Sequence, residues 1–222
     1  GFAEGSAYLL MEYLEGMSLG ELMPSGALPV EELAPILDGA LRGLAHVHEQ
    51  GVVHRDLKPT NVFLRDGHEA VIIDFGLVCD RRDLTLVTPP AIVLGTPMYI
   101  APELPDGSRA STQSDIFSIG LVAYAALTGR KPHDQNNAAI AHRLLSGAYH
   151  REAKLALEPF GRFGDVILRA MTPEPQHRFA LAADMAAALQ DALSAPAAPP
   201  APRAGATARI DLASAPASAP AL

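Results

Sequence analysis

Residues 114–129, SDIFSIGLVAYAALTG, carry one charged side chain, Asp115, and are apolar on nearly every helical face. Such a helix cannot lie on a surface, because each turn would leave in water apolar area whose burial is worth about 25 cal/mol per Å². Nor can it cross a bilayer. Its apolar stretch, around 119–127, falls short of the roughly 18 consecutive apolar residues that a span requires. The rest of the chain must therefore wrap it, and 222 residues, 49% of them hydrophobic, are enough to do so within one domain.

The wrapping elements are legible on either side. Over 31–50, Leu33, Ile36, Leu37, Ala40, Leu41, Leu44 and Val47 recur at helical spacing, and Gly51 stands where a C-terminal cap belongs. Pro35, near the start, is the residue that fits this helix least. Further helical patterns cover about 137–146, 164–171 and 180–193. Ser18 followed by Glu21 predicts a capping box that opens a short helix. NVFLRDGHEAVIIDF predicts two strands turning at Asp66 and Gly67, a pair suited to the positive backbone angles of a tight hairpin. The apolar run AYLLMEYL, 7–14, predicts a core strand.

Two stretches lack periodicity. Residues 76–105, rich in Thr and Pro, read as a long extended segment, a kind that is usually functional or disordered. The last 29 residues hold 12 Ala, 6 Pro and 3 Ser, which predicts a flexible, partly polyproline-like linker over 194–222 and leaves 1–193 as the folded domain. The net charge of -8 argues against nucleic acid and anionic membrane surfaces as partners, since both call for clustered Lys and Arg. The single cysteine, Cys79, excludes an internal disulfide and a Cys-rich zinc cluster, and reads as an inert thiol.

The chemistry concentrates in VVHRDLKPTNVFL, residues 52–64, which sets Asp56, Lys58 and Asn61 between two apolar stretches. Alone, such a cluster is best read as a polar turn between a helix and a strand. Its surroundings change that reading: DFG follows at 74–76, GTPMYIAPE at 95–103 and SDIFSIG at 114–120. In this order the motifs resemble the catalytic C-terminal lobe of a eukaryotic-type protein kinase, closest to the bacterial Ser/Thr kinases, and the likeness covers roughly residues 7–192.

The resemblance implies an α+β, protein-kinase-like fold: a mainly helical C-lobe with a short catalytic β-hairpin, truncated at the hinge. Phosphoryl transfer to a hydroxyl needs a proton acceptor, cations against the developing phosphate charge, and hard oxygen ligands for a metal. By the same resemblance Asp56 orients the substrate hydroxyl and accepts its proton, while Lys58 reaches the transferring phosphate. Asn61 and Asp74 hold magnesium, with manganese as the alternative ion. ATP is the donor, with Met11 at the back of the adenine pocket, backbone groups of Glu12 and Leu14 reading the adenine edge, and Phe63 as the floor. Without the flanking motifs, Met11 and Phe63 would read as plain core.

Lys58 with Pro59, and Thr96 placed to contact Asp56 and Lys58, match the pattern for Ser/Thr hydroxyls of protein substrates. Glu103 resembles the acid that pairs structurally with a late arginine, here Arg178, and Asp115 resembles the carboxylate that braces the catalytic loop through backbone hydrogen bonds. His54 reads as a packed core histidine. Arg55 is placed to dock a phosphate on the activation segment, with Thr85 and Thr88 as the phosphosites. Arg81 and Arg82 would contact that phosphate or stand as solvated loop charges.

The chain departs from the family in one respect. It contains no Gly-rich phosphate-covering loop, no upstream phosphate-gripping lysine and no helix glutamate paired to it. In a complete kinase these occupy an N-terminal lobe, so the expectation is a fragment beginning at the hinge, inactive alone, of a parent Ser/Thr kinase. The rival is a noncatalytic kinase-like lobe, a pseudokinase or docking scaffold, against which the intact Asp56, Lys58, Asn61 and Asp74 speak. The Ala/Pro tail resembles linkers that follow kinase domains in bacterial receptor-like kinases. A cytoplasmic kinase domain is expected, with membrane contact only through segments outside this chain.

Overall fold

A computed structural model describes residues 1–3, 6–8, 10–66, 69–75, 97–105, 108–132 and 146–194. The first strands, β1 (Phe2–Ala3) and β2 (Ser6–Ala7), form a two-residue antiparallel ladder. β3 (Gly16–Ser18) leads into α1 (Leu19–Leu22), where the Ser18 hydroxyl accepts from the Glu21 N–H and the Glu21 carboxylate accepts from the Ser18 N–H at 2.7 Å. The capping box expected from Ser18 and Glu21 is therefore present.

α2 (Val30–Glu49) buries Leu33, Ile36, Leu37, Ala40, Leu41 and Leu44, the face read from the sequence, and Gly51 takes the left-handed conformation at φ 74. Pro35 is tolerated because it lies on the exposed side, where the carbonyl that loses its partner can meet water. β4 (Val62–Arg65) and β5 (Glu69–Ile72) form the hairpin, with Asp66 at φ 52 opening the turn. β3 adds to it antiparallel, Ser18 opposite Phe63 and Gly16 opposite Arg65. α2 lies directly on this sheet: a Cβ at Gly39 would come within 3.1 Å of Ala70, so the absence of a side chain there sets the approach.

α3 (Thr112–Thr128) is the axis of the molecule, and every residue from 114 to 127 along it is buried. Ser111 caps its start in a reciprocal box with Ser114, and Gly129 ends it at φ 65. Three elements enclose it besides α2: α4 (Ala148–Leu157), α5 (Gly161–Ala170) and α6 (Ala182–Ser194), of which α4 and α5 touch α3 directly while α6 closes over α2 and α5. Gly120 lets α5 approach, since a Cβ there would fall 3.0 Å from the Ala170 Cβ. Tyr149 of α4 meets Phe117 edge to face at 5.6 Å and donates its hydroxyl to the Met171 carbonyl at 3.0 Å. Among the described residues no helix is long and apolar enough to cross a membrane.

One expectation fails outright. Residues 8 and 10–15 form no strand, and Tyr8, Leu10, Met11 and Tyr13 are exposed, Leu10 by 90%. A core strand needs a ladder partner and a covering layer, and the described residues supply neither beyond β1. The observed α5 also starts earlier than the 164–171 pattern, and α4 had no counterpart in the sequence reading. The helix expected at 137–146 lies outside the described residues except for Ser146, as do 76–96 of the long segment and the linker beyond Ser194.

Candidate active site

The polar loop is held from beneath by one carboxylate. Asp115, near the start of α3 and 1% exposed, accepts from the His54 N–H at 2.8 Å and the Arg55 N–H at 2.9 Å, and from the His48 Nε2 at 2.8 Å. A buried carboxylate is tolerated only when its lone pairs are occupied, and here both oxygens are. The bond to Arg55 has a further consequence. Arg55 sits at φ 72, a left-handed conformation that costs a non-glycine residue roughly 1–3 kcal/mol, and the Asp115 bonds help hold it there. The Arg55 residue itself remains exposed.

His54 is the hinge of the arrangement. Its ring is fully buried, and its two nitrogens face opposite partners: the Asp56 N–H donates to Nδ1 at 3.3 Å, and Nε2 donates to the Ile73 carbonyl at 3.0 Å. Those partners require the neutral ring protonated on Nε2. Ile73 is also fixed from the other side, its N–H donating to the Asn61 carbonyl at 3.0 Å. Asp74, the next residue, is exposed and left-handed at φ 55, and the Phe75 ring meets that of His54 at a tilt, 4.9 Å between centroids. Asp56 and Asp74, 18 positions apart in the chain, are thus each set by the same imidazole.

Asp56 itself meets two neighbours. The Lys58 ammonium lies 2.6 Å from its Oδ2, and the Asn61 amide donates to its backbone carbonyl at 2.8 Å. Asn61 is 3% exposed, and that bond turns its Nδ2 inward and its Oδ1 away from Asp56. The Asn61–Ile73 backbone bond brings Asn61 next to the residue before Asp74, and an amide oxygen and a carboxylate are the hard donors that magnesium or a similar small cation takes.

The remaining sequence candidates are less concentrated. Phe63, half-buried, lies in β4 opposite Ser18 and Val71, and Leu14 is half-buried as well. Met11 is 62% exposed, and the Glu12 carboxylate faces Arg65 at 3.7 Å. Thr85, Thr88 and Thr96, with Cys79, Arg81 and Arg82, lie outside the described residues.

Away from the loop, Arg178 donates from all of its guanidinium nitrogens. Nε bonds the Thr172 carbonyl at 2.7 Å, Nη1 bonds Glu103 and the Gln113 carbonyl at 2.9 Å each, and Nη2 bonds Glu103 at 2.8 Å and the Pro173 carbonyl at 2.7 Å. Phe117 lies 4.7 Å beneath the guanidinium, and the Ser114 hydroxyl gives Glu103 a third bond at 2.8 Å. Burial by itself would raise the Glu103 carboxyl, but the hydrogen bonds and charge of Arg178 outweigh it and hold the group below its ordinary value. This latch ties the 97–105 turn region to the segment before α6.

The family model for the protein kinase domain matches residues 3–186. The chain belongs to that family. It is 32% identical over 201 residues to the Ser/Thr-protein kinase PknB of Mycobacterium leprae, covering 85% of this chain and 31% of the relative. It is 33% identical to PrkC of Bacillus subtilis, over 85% of this chain and 29% of the relative, and 39% identical over 133 residues to pkn2 of Myxococcus xanthus. The chain thus spans about a third or less of the length of these curated relatives. Among solved structures the kinase domain of Mycobacterium tuberculosis PknI matches with a TM-score of 0.59 at 24% identity, over 82% of this chain and 64% of that one, a likeness of fold.

Within this kinase domain the sequence reading missed three participants. His48 and Ser114 gave no signal beyond their residue types, because their partners, Asp115 and Glu103, are 67 and 11 positions away. The bridging role of His54 was hidden too, since its burial was foreseen but its Ile73 partner is 19 positions on.

Proposed function

We propose that the protein is an ATP-dependent kinase that transfers the γ-phosphate to Ser and Thr hydroxyls of protein substrates. The observation that carries this reading is the His54 imidazole, which sets the backbones beside Asp56 and Asp74 from its two nitrogens. Membership of the kinase family and the Ser/Thr-kinase names of the relatives support it.

In this reading the substrate hydroxyl meets Asp56 Oδ1, the oxygen that Lys58 does not hold, and passes its proton there as its oxygen bonds to the γ-phosphorus and the bond from that phosphorus to the bridging oxygen breaks, releasing ADP. Lys58 has N–H groups to spare beyond the bond to Asp56 and turns them to the phosphate oxygens. Asn61 and Asp74 supply oxygens for magnesium, or for manganese in its place. Bound metal–ATP contributes the phosphoryl group and the positive charge against it. Phe63 and the backbone of Glu12 and Leu14 meet the adenine, Arg55 offers its exposed side chain to a phosphate on the activation segment, and Asp115 keeps the loop in its left-handed turn.

The test is phosphate transfer to a Ser/Thr protein substrate by the full-length protein and its Asp56→Asn variant. Loss of a proton acceptor should lower the rate by roughly 10²–10⁴-fold with the fold intact by circular dichroism. An undiminished rate would remove Asp56 from the chemistry. No transfer by the unmodified protein would leave the noncatalytic kinase-like lobe as the better reading.

A further inference from the structure

Lys58 faces two ways. Its ammonium closes the pair with Asp56 at 2.6 Å, and its side chain also lines a cleft of about 580 Å³ between α1, the 97–99 turn and the C-terminal end of α3. That volume lies in the range, roughly 300–1,000 Å³, that accommodates a ligand. A segment that brings a hydroxyl to Asp56 therefore finds this cleft immediately beside it.

The charge of the cleft is one-sided. Among the described residues its charged lining is Lys58, Arg130 and Lys131, with no Asp or Glu. Arg130 and Lys131 follow the Gly129 cap, are exposed, and form no ion pair with any described residue. Met23, Pro24 and Met98 contribute apolar wall, and burial pushes the Tyr99 phenol up to about 12, so it adds no negative charge at neutral pH. This stands against the balance of a chain whose net charge is -8. An anion entering the cleft meets two cations that no described residue pairs, one of them a planar fork matched to carboxylate and phosphate oxygens.

We infer that the protein selects Ser and Thr residues whose flanking sequence is acidic, the Asp, Glu or phosphorylated side chains of the substrate segment engaging Arg130 and Lys131. The inference rests on the kinase reading, which makes the cleft the continuation of the Asp56 site. Each pairing is solvent-accessible and modest alone, so together they should favour an acidic over a neutral flank by roughly tenfold, and rising salt should shrink that preference.

The test uses the full-length protein and three otherwise identical serine peptides with Glu, Gln or Lys flanks, read by kcat/KM for phosphorylation and by fluorescence anisotropy for binding. The expected order is Glu, then Gln, then Lys, with the double variant R130E/K131E reversing it. Phosphorylation of all three peptides at one kcat/KM would overturn the acidic preference while leaving the kinase reading intact. Tighter binding of the Glu peptide, abolished by R130E/K131E but without phosphorylation of any peptide, would keep the cationic cleft as a site for acidic segments and overturn the kinase reading. Neither binding nor phosphorylation would overturn both.

Discussion

Two acid–base pairs in this kinase domain use similar residues to opposite ends. Glu103 and Arg178 meet through two parallel bonds of 2.8 and 2.9 Å, and the guanidinium spends its other donors on three backbone carbonyls. The Arg178 side chain is wholly buried. Asp56 and Lys58 meet through a single contact of 2.6 Å, with 24% and 27% of their side chains exposed. In the first pair the guanidinium has no donor left for a ligand. The second keeps an oxygen and several N–H groups for one, and its Lys58 lines a cleft that opens to water. Saturation makes a brace, and incomplete satisfaction makes a site, because an exposed donor or acceptor can exchange water for substrate at little cost.

That contrast can be broken by experiment. Arg178→Ala should have the largest effect on stability, about 3–5 kcal/mol, because it strands a largely buried carboxylate and three carbonyls at once, and denaturant unfolding would measure it. A loss below about 1 kcal/mol would show that the latch is no brace.

Glu103→Gln keeps the shape and removes the charge, and should cost about 1.5–3 kcal/mol at neutral pH. Its signature is the pH dependence. The folded carboxyl titrates below its ordinary value, so its contribution is complete above the unfolded value of about 4.3 and drains away as pH falls through the folded one. The unmodified protein should therefore lose stability more steeply than Glu103→Gln between neutral and acid pH, a comparison that thermal melts across pH would read.

Lys58→Met should shift the melting behaviour least, by under about 1 kcal/mol, since an exposed pair contributes little. Phosphate transfer should nevertheless fall by at least about tenfold if its free N–H groups meet the phosphate. Equal transfer by the variant would move Lys58 from the site to the scaffold and erase the distinction between the pairs.

The two pairs were also unequally legible. Asp56 and Lys58 lie two positions apart in a loop between apolar runs, so one short stretch displays both. Glu103 and Arg178 are 75 positions apart, and only the family resemblance joined them. The cationic cleft was not legible at all: nothing in the order of residues around Arg130 and Lys131 shows that α1 and the 97–99 turn pack beside them.

What the amino-acid order determined by itself is local and periodic. Apolarity on all faces of 114–127 required a buried axis, the spacing from Leu33 to Leu44 set the inner face of α2, and Asp66 placed the hairpin turn. Each depends on neighbours within a few residues, where helical and strand periods fix which side chains share a face. Depth and convergence were decided by the tertiary structure. The apolar side chains of Leu10 and Tyr13 stay in water because no described layer covers them, while polar Asp115 is buried because two backbone N–H groups and a histidine from 60 to 67 positions earlier close on it. Hydrophobicity states only a preference for burial; whether it is met depends on which distant surfaces arrive to exclude the water.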